Sequence, residues 1–417
     1  MKLSQLKKLR ALNSRNYCLF FFGQGTSLIG TWINNVAAIW AVYHLTNSPL
    51  LLGVFGFLSQ SPVILAPLAG GIVDRQNQRQ ILLITQAVSM VQSLVLAVLA
   101  LTQSLNIVNL IILSFIQGIV NALDVPTRQA FLPEMVDNRA DLDNAIALNA
   151  SLSGLSRLIG PAIAGIIISS FGIGICFLID GISYIAVLAS LFLMKIQHKS
   201  FSSSTKAQFS QQELAAGFRY VFNSVPILSI LCLLALVNFM GTPLIALVPI
   251  FAEEVLGGNS HTFGYMMTTS AVGALIGAVY LSLRSNSSGL ERLFGLCAAM
   301  LGVVLIVFSQ SKLMWLSFIA VAFIGLFLII ENAASNTMVL TIADEDKRGR
   351  VMGIYTIASD TVMLPLGNLF AGVLAHFIGA PSTMLIEGIC CIIGATIFWQ
   401  YLPLIRRSLK QSKKIKI

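Results

Sequence analysis

Charge is the first thing this chain lacks. Only 10% of its 417 residues are Asp, Glu, Lys or Arg, against about 25% in a soluble domain whose surface must stay in water. A water-soluble globular fold is thereby excluded. Histidine is scarce too, with four scattered copies. The six cysteines (Cys18, Cys176, Cys232, Cys297, Cys390 and Cys391) all lie in apolar segments and make no Cys-x-x-Cys pair. Neither a metal centre nor a disulfide framework fits that spacing, so the thiols read as small buried apolar side chains. No Ser/His/Asp set is present, and the Gly-rich loop lacks the Gly-x-x-x-x-Gly-Lys-Ser/Thr spacing that cradles nucleotide phosphates. Enzymatic chemistry, ATP drive, cofactor and metal are all unexpected.

What is present is apolar. Hydrophobic residues make up 56% of the chain, and the mean hydropathy is +0.84. Most of the surface must therefore face lipid. The formal net charge of +9 comes from residues set between apolar runs, not on one basic face, so no nucleic-acid partner is implied.

At about 20 residues per span, twelve transmembrane helices are expected, near 17–43, 50–73, 80–101, 105–126, 143–170, 172–194, 226–252, 262–284, 290–309, 313–337, 350–377 and 381–402. The basic N-terminus precedes an apolar run too long for a signal peptide, so that run is expected to stay as the first helix. The polar, Ser-rich stretch from 195 to 225 divides the chain into a six-helix bundle (1–194) and a second one with a basic tail (226–417). Within the stretch, residues 211 to 222 read as an amphipathic helix lying on the membrane surface. With an even number of spans, 25 of the 26 Lys and Arg fall on the side holding both termini, and only Lys312 falls opposite. That side is expected to be cytoplasmic, in a bacterial inner membrane.

The halves repeat at an offset of 207. Gly118 maps to Gly325, Asp124 to Glu331, Gly160 to Gly367, Ala164 to Ala371, Gly165 to Gly372, Gly172 to Gly379, Asp180 to Glu387 and Gly181 to Gly388. Eight matches in one register, two of them acidic, indicate duplicated bundles with a substrate cavity between them.

The loop after span two reads Gly70-Gly71-Ile72-Val73-Asp74-Arg75-Gln76-Asn77-Gln78-Arg79. It resembles the Gly-x-x-x-Asp-Arg-x-Gly-Arg-Arg loop of the major facilitator superfamily, with Asn77 and Gln78 departing from Gly and Arg. A small residue such as Gly71 lets helices approach closely. Asp74 suits a helix N-terminus, and Arg75 and Arg79 can bridge to acids on a neighbouring helix. The order Asp124-Val-Pro126-Thr-Arg128, Pro133-Glu134, Asn149, Arg157-Leu-Ile-Gly160-Pro161-Ala-Ile-Ala-Gly165 and Phe177-Leu-Ile-Asp180-Gly resembles the superfamily branch containing bacterial enterobactin and macrolide exporters. The resemblance covers nearly the whole chain, strongest from Gly70 to Gly181. It implies an all-α membrane fold of two six-helix bundles and proton-driven efflux of amphipathic siderophore- or drug-like molecules by alternating access. Gly160, Pro161 and Gly165 also resemble the span-five antiporter motif: Pro removes a backbone hydrogen bond and Gly permits close packing, giving a hinge. One departure is Ser114, where the superfamily's fourth-span pattern places Arg before Gln117-Gly118. Proton coupling must then use other groups.

Those groups are sought by depth, at 1.5 Å per residue. Arg157 lies about 21 Å into span five and Asp180 about 12 Å into span six, both near the middle of a core about 30 Å thick, so they are expected to pair. Glu387 maps to Asp180, but Arg157 maps to Leu364. Glu387 therefore lacks the matching cation and is expected as a neutral acid. Asp360 lies about 15 Å into span eleven with Ser153 at the mate position, the pattern of a proton carrier. Asp124 and Glu331, near the cytoplasmic ends of spans four and ten, are expected to form a gate with Arg75, Arg79 or Arg128, and with Arg284, Arg292 or Arg350. By the fold that the resemblance implies, spans one, four, seven and ten line the cavity. Their polar and aromatic candidates are Gln24, Trp32, Asn34, Asn35, Gln117, Asn121, Asn238 and Asn332, which suit a neutral or amphipathic small molecule. Protons and membrane lipid are the other expected partners, and the chain is expected to act as a monomer. A lipid or lysolipid flippase on the same fold is the alternative, ahead of a non-transporting scaffold or an enzyme.

Overall fold

The computed structural model describes residues 7–66, 71, 73, 76–195, 211–284, 289–345 and 347–415. Among them every regular element is helical. In chain order these are α1 (Arg15–Thr46), α2 (Pro49–Gln60), α3 (Gln78–Leu101), α4 (Ile107–Met135), α5 (Leu142–Phe171), α6 (Ile173–Leu193), α7 (Gln211–Asn223), α8 (Val225–Met240), α9 (Leu244–Ile250), α10 (Ser260–Leu283), α11 (Leu290–Gln310), α12 (Met314–Ile342), α13 (Arg348–Thr356), α14 (Met363–Ile378) and α15 (Ala380–Ile415). Apolar runs with no water to satisfy the backbone have to close their own hydrogen bonds, and the helix does this within one segment.

Ten helices among the described residues are long and apolar enough to cross a membrane. The other two expected spans fall on α1 and α2. α1 has 32 residues, ample length, but Gln24, Asn34, Asn35 and two tryptophans dilute its apolar character. α2 and the turn after it form a shorter apolar helix, Pro49–Leu65. The expected eleventh span is interrupted: a π-helical turn, Ile357–Thr361, separates α13 from α14. A second π turn, Phe251–Val255, follows α9.

The chain divides into two compact units, Met1–Leu45 with Leu58–Gln208, and Thr46–Phe57 with Phe209–Ile417. Glycine positions show that both are built on one plan. Gly172 and Gly379 end α5 and α14 with φ of 81° and 83°, a left-handed conformation that disfavours a side chain. Gly160 packs α5 on α1 against Trp32 and the Ile29 carbonyl; its mate Gly367 packs α14 on α8 against the Phe239 carbonyl. Gly118 lies against the Ser59 carbonyl, and its mate Gly325 against the Ser270 carbonyl on α10. A Cβ at any of these four crossings would strike backbone or a close-packed side chain, so the helices meet at glycine. The offset of 207 is thus a repeat of helix contacts as well as of letters.

Candidate functional site

In the first unit the polar chemistry is organised by α3. Thr85, Gln86, Ser89, Gln92 and Ser93 are all buried on it, at helical spacing along one stripe. At the lower end of the stripe lies Asp124 of α4, 3% exposed. Its Oδ1 accepts from Thr85 Oγ1 and Gln86 Nε2, both at 2.8 Å. Its Oδ2 lies 2.7 Å from Arg128 Nε, one turn along α4. The Arg128 N–H is not aligned for a hydrogen bond, so this contact is charge attraction. Of the arginines offered as partners for Asp124, Arg128 makes the contact among the described residues, and Arg75 lies outside them. Arg79 goes elsewhere: its guanidinium donates to the Leu191 carbonyl at 2.9 and 2.6 Å and to the Phe192 carbonyl at 3.2 Å, capping the C-terminal end of α6.

Further along the stripe, Gln117 Nε2 donates to Ser89 Oγ at 3.0 Å and to Asn121 Oδ1 at 3.2 Å. Beyond it stands Asp180 of α6, 1% exposed. Its Oδ2 accepts from Asn34 Nδ2 and from Ser93 Oγ, each at 2.6 Å. The expected Asp180–Arg157 pair is therefore corrected. Arg157 lies over the indole of Trp32, its guanidinium carbon 5.6 Å from the ring centroid. The two residues share a depth but not a direction. Asn34, expected to line a cavity, is committed to Asp180. Of the remaining candidates on α1, Gln24 is buried and Asn35 is exposed. Gly160, Pro161 and Gly165 are all buried in α5, which remains helical through Pro161.

In the second unit, Glu331 on α12 and Glu387 on α15 are buried at 1% and 0% exposure. Neither oxygen of Glu387 has a hydrogen-bond partner among the described residues. Asn332 holds α13: Tyr355 Oη donates to its side-chain oxygen at 2.8 Å and its carbonyl at 2.9 Å. Asn238 donates to the Leu234 carbonyl of its own helix at 3.0 Å. The backbone of Asp360 lies in the π turn between α13 and α14, a wide turn that often marks a functional position in a helix. Gly71 is described and exposed, whereas Asp74 and Arg75 lie outside the described residues.

The sequence reading missed Thr85, Gln86, Ser93 and Tyr355. The α3 residues had a signal: five polar side chains at positions i, i+1, i+4, i+7 and i+8 in an otherwise apolar span. Among the described residues no group of three His, Cys, Asp or Glu side chains could hold a metal ion. The arrangement offers buried carboxyls, hydroxyls and amides, chemistry suited to binding protons and polar groups within a membrane.

The whole chain is similar to known proteins. A family model described as transmembrane secretion effector matches residues 9–414. The staphyloferrin A transporter of Staphylococcus aureus is 28% identical over 385 residues, covering 91% of this chain and 94% of that protein. Macrolide efflux protein A of Streptococcus pyogenes is 23% identical, covering 89% and 92%. The enterobactin exporter EntS of Shigella boydii is 22% identical, covering 87% and 85%. Among solved structures, an inward-facing bacterial homologue of the human lysosomal transporter spinster shares the fold, with a TM-score of 0.72 at 13% identity, over 95% of this chain and 97% of that one.

Proposed function

Because the chain belongs to the transmembrane secretion effector family of the major facilitator superfamily, we propose that it exports a small amphipathic molecule, siderophore- or drug-like, in exchange for protons. It is a multi-pass membrane transporter and not an enzyme, as the family and its relatives are. The observation that carries the finer reading is the set of carboxyls buried at mid-span, Asp180 and Glu387, in repeat-related places. Ionisable side chains are costly within a membrane and are kept there chiefly where protons or substrates pass.

In this reading the cycle is alternating access, with the proton path lined by Asp360, Glu387, Asp180 and Arg157. Gly71, Asp74, Arg75, Arg79, Asp124, Arg128 and Glu331 hold the cytoplasmic side. Gly160, Pro161 and Gly165 let α5 pivot. Gln24, Trp32, Asn35, Gln117, Asn121, Asn238 and Asn332 meet the cargo, while Asn34 positions Asp180. The protein works as a monomer in the bacterial inner membrane with both termini in the cytoplasm.

The test is uptake into inverted membrane vesicles with and without an imposed pH gradient, using a citrate-type siderophore, a macrolide, a cationic dye and a lysolipid as probes. Accumulation of the siderophore or macrolide that collapses with the gradient is the expected result. Gradient-independent movement of all four probes, or movement of the lysolipid alone, would overturn the reading. Asp360→Asn should abolish the gradient-driven component and spare downhill exchange.

A further inference from the structure

Asp180 on α6 and Glu387 on α15 are repeat-mates, yet their surroundings differ. Asp180 takes hydrogen bonds from Asn34 on α1 and Ser93 on α3. The offset of 207 carries Asn34 to Gly241 and Ser93 to Met300. Neither offers a side-chain hydrogen-bond donor, and Glu387 is left fully buried with both carboxyl oxygens unbonded among the described residues. Gly241 does occupy the matching place: a Cβ there would touch Leu301 of α11 and come within 3.7 Å of Cys391 Sγ, one turn from Glu387.

The helices packed on α15 are α8, α9, α11, α12 and α14. Their charged or titratable groups are Cys232 on α8, Glu291, Arg292 and Cys297 on α11, Glu331 on α12 and His376 on α14; α9 has none. On α15 itself the neighbours are Cys390 and Cys391. Arg292 lies ten residues from Gly302, where α11 crosses α15 beside Glu387, about 15 Å along the axis. Glu291 at that same end is paired with Arg406 at 2.9 Å. No arginine or lysine on these helices reaches Glu387, so its burial is tolerable as a neutral acid only. A carboxyl that makes no bond adds nothing to packing that Met or Leu would not add better. What it alone offers is an exchangeable proton.

The crossing beside it is close. A Cβ on Gly302 would lie 2.5 Å from the Gly388 carbonyl oxygen, and one on Gly388 would lie 2.7 Å from the Gly302 carbonyl oxygen. Backbone meets backbone there, and the side chains of Ile392 and Ile306 pack in beside the two glycines, with Cγ1 atoms 2.7 and 2.8 Å from the same Cβ positions. In the first unit Val95 stands at the Gly302 position, and Leu94 packs on Gly181.

Resting on the reading of a proton-coupled exporter, we propose that Glu387 is a proton-exchanging site beside the α11–α15 crossing, while Asp180 is a fixed anchor between α1, α3 and α6. The proton enters the carboxyl from one side and leaves to the other with no bond to any neighbouring side chain to be broken.

The test is infrared difference spectroscopy on the purified full-length protein in lipid, reading the carbonyl stretch of a protonated carboxyl at neutral pH. A band present in the wild type, absent in Glu387→Gln and retained in Asp180→Asn is expected. A band that survives in Glu387→Gln, or that disappears in Asp180→Asn, overturns the proposal. If Glu387→Gln does not fold, Glu387→Asp must shift the band, and an unshifted band is equally fatal. A Gly241→Asn, Met300→Ser double variant supplies the missing donors and should shift the band too; no shift means that Glu387 does not sense those positions. The spectrum reads Glu387 without any substrate. Loss of vesicle transport with an intact Glu387 band would therefore count against the exporter reading alone.

Discussion

The side chain of Asn34 on α1 donates to Asp180 on α6 at 2.6 Å, tying the first helix of its unit to the sixth. Ser93 donates to the same carboxyl oxygen, and Asn34 also donates to Ser93 at 3.1 Å. Three side chains on three helices therefore form one closed set. Removing either donor, by Asn34→Ala or Ser93→Ala, should cost about 1–3 kcal/mol. The two losses should not add, because the second donor already compensates part of the first. Denaturant unfolding of the single and double variants in detergent checks this, and strict additivity would show that the set is not cooperative.

Arg79 illustrates how a superfamily loop residue acquires a local structural task. Its fork reaches the Leu191 and Phe192 carbonyls, which the end of α6 leaves without helical donors. Arg79→Lys keeps the charge but loses the planar fork. Both Arg79→Lys and Arg79→Ala should fray the end of α6, with a loss of about 1–2 kcal/mol for the alanine variant. Hydrogen exchange of the amides near Ser190 to Met194 should accelerate in both, more in the alanine variant. Unchanged protection there would mean that the cap is dispensable.

The contrast between what could and could not be read from the letters has a simple physical origin. Span count, repeat offset and acid positions depend on distance along the chain, which the letters carry directly, and Asp180, Glu387 and Asp124 were found that way. Pairing depends also on azimuth, which turns about 100° per residue. Asp180 and Arg157 were matched by depth alone, and they face different neighbours, Asn34 and Trp32. The α3 stripe was legible in principle, since Thr85, Gln86, Ser89, Gln92 and Ser93 carry their own azimuthal period. The π turn holding Asp360 was not, because nothing in Ile357–Thr361 breaks the helical pattern of letters.

Two glycines on α5 separate packing from propensity. Gly160 lies where a Cβ would strike Trp32 and approach the Ile29 carbonyl oxygen at 3.3 Å, whereas Gly154 has nothing within 4 Å of a Cβ. Gly160→Ala should destabilise by about 1–3 kcal/mol, the cost of overpacking. Gly154→Ala should stabilise, by up to about 1 kcal/mol, because alanine is the better helix former. Melting temperatures of the two variants in detergent should move in opposite directions. A fall in both would show that α5 needs glycine freedom, not only space at Gly160.

The linker helix α7 is latched to its own unit by groups that titrate at opposite ends of the pH scale. Asp344 donates its backbone N–H to Tyr220 Oη at 3.4 Å and accepts from Lys347 Nζ at 3.1 Å, while the ammonium lies 4.6 Å from the Tyr220 ring centroid. Gly217 of the same helix faces Arg350 and Ile354 on α13. The Lys347 hydrogen bond, with a smaller contribution from Tyr220, holds the Asp344 carboxyl below its ordinary value of 3.8. Partial burial first, and Asp344 second through its side-chain hydrogen bond, hold the Tyr220 hydroxyl above 10.0. A lowered acid contributes stability above its unfolded value and loses it as pH falls through the folded one, here below about pH 4. A raised hydroxyl contributes below its unfolded value and loses that as pH rises past about 10. The latch should therefore hold throughout the neutral range. Asp344→Asn should speed hydrogen exchange of the α7 amides several-fold at pH 7, after correction for intrinsic rates, and the difference from the wild type should shrink as pH is lowered below about 4. A variant that left α7 equally protected at pH 7 would place the hold on α7 in Gly217 and its contacts instead.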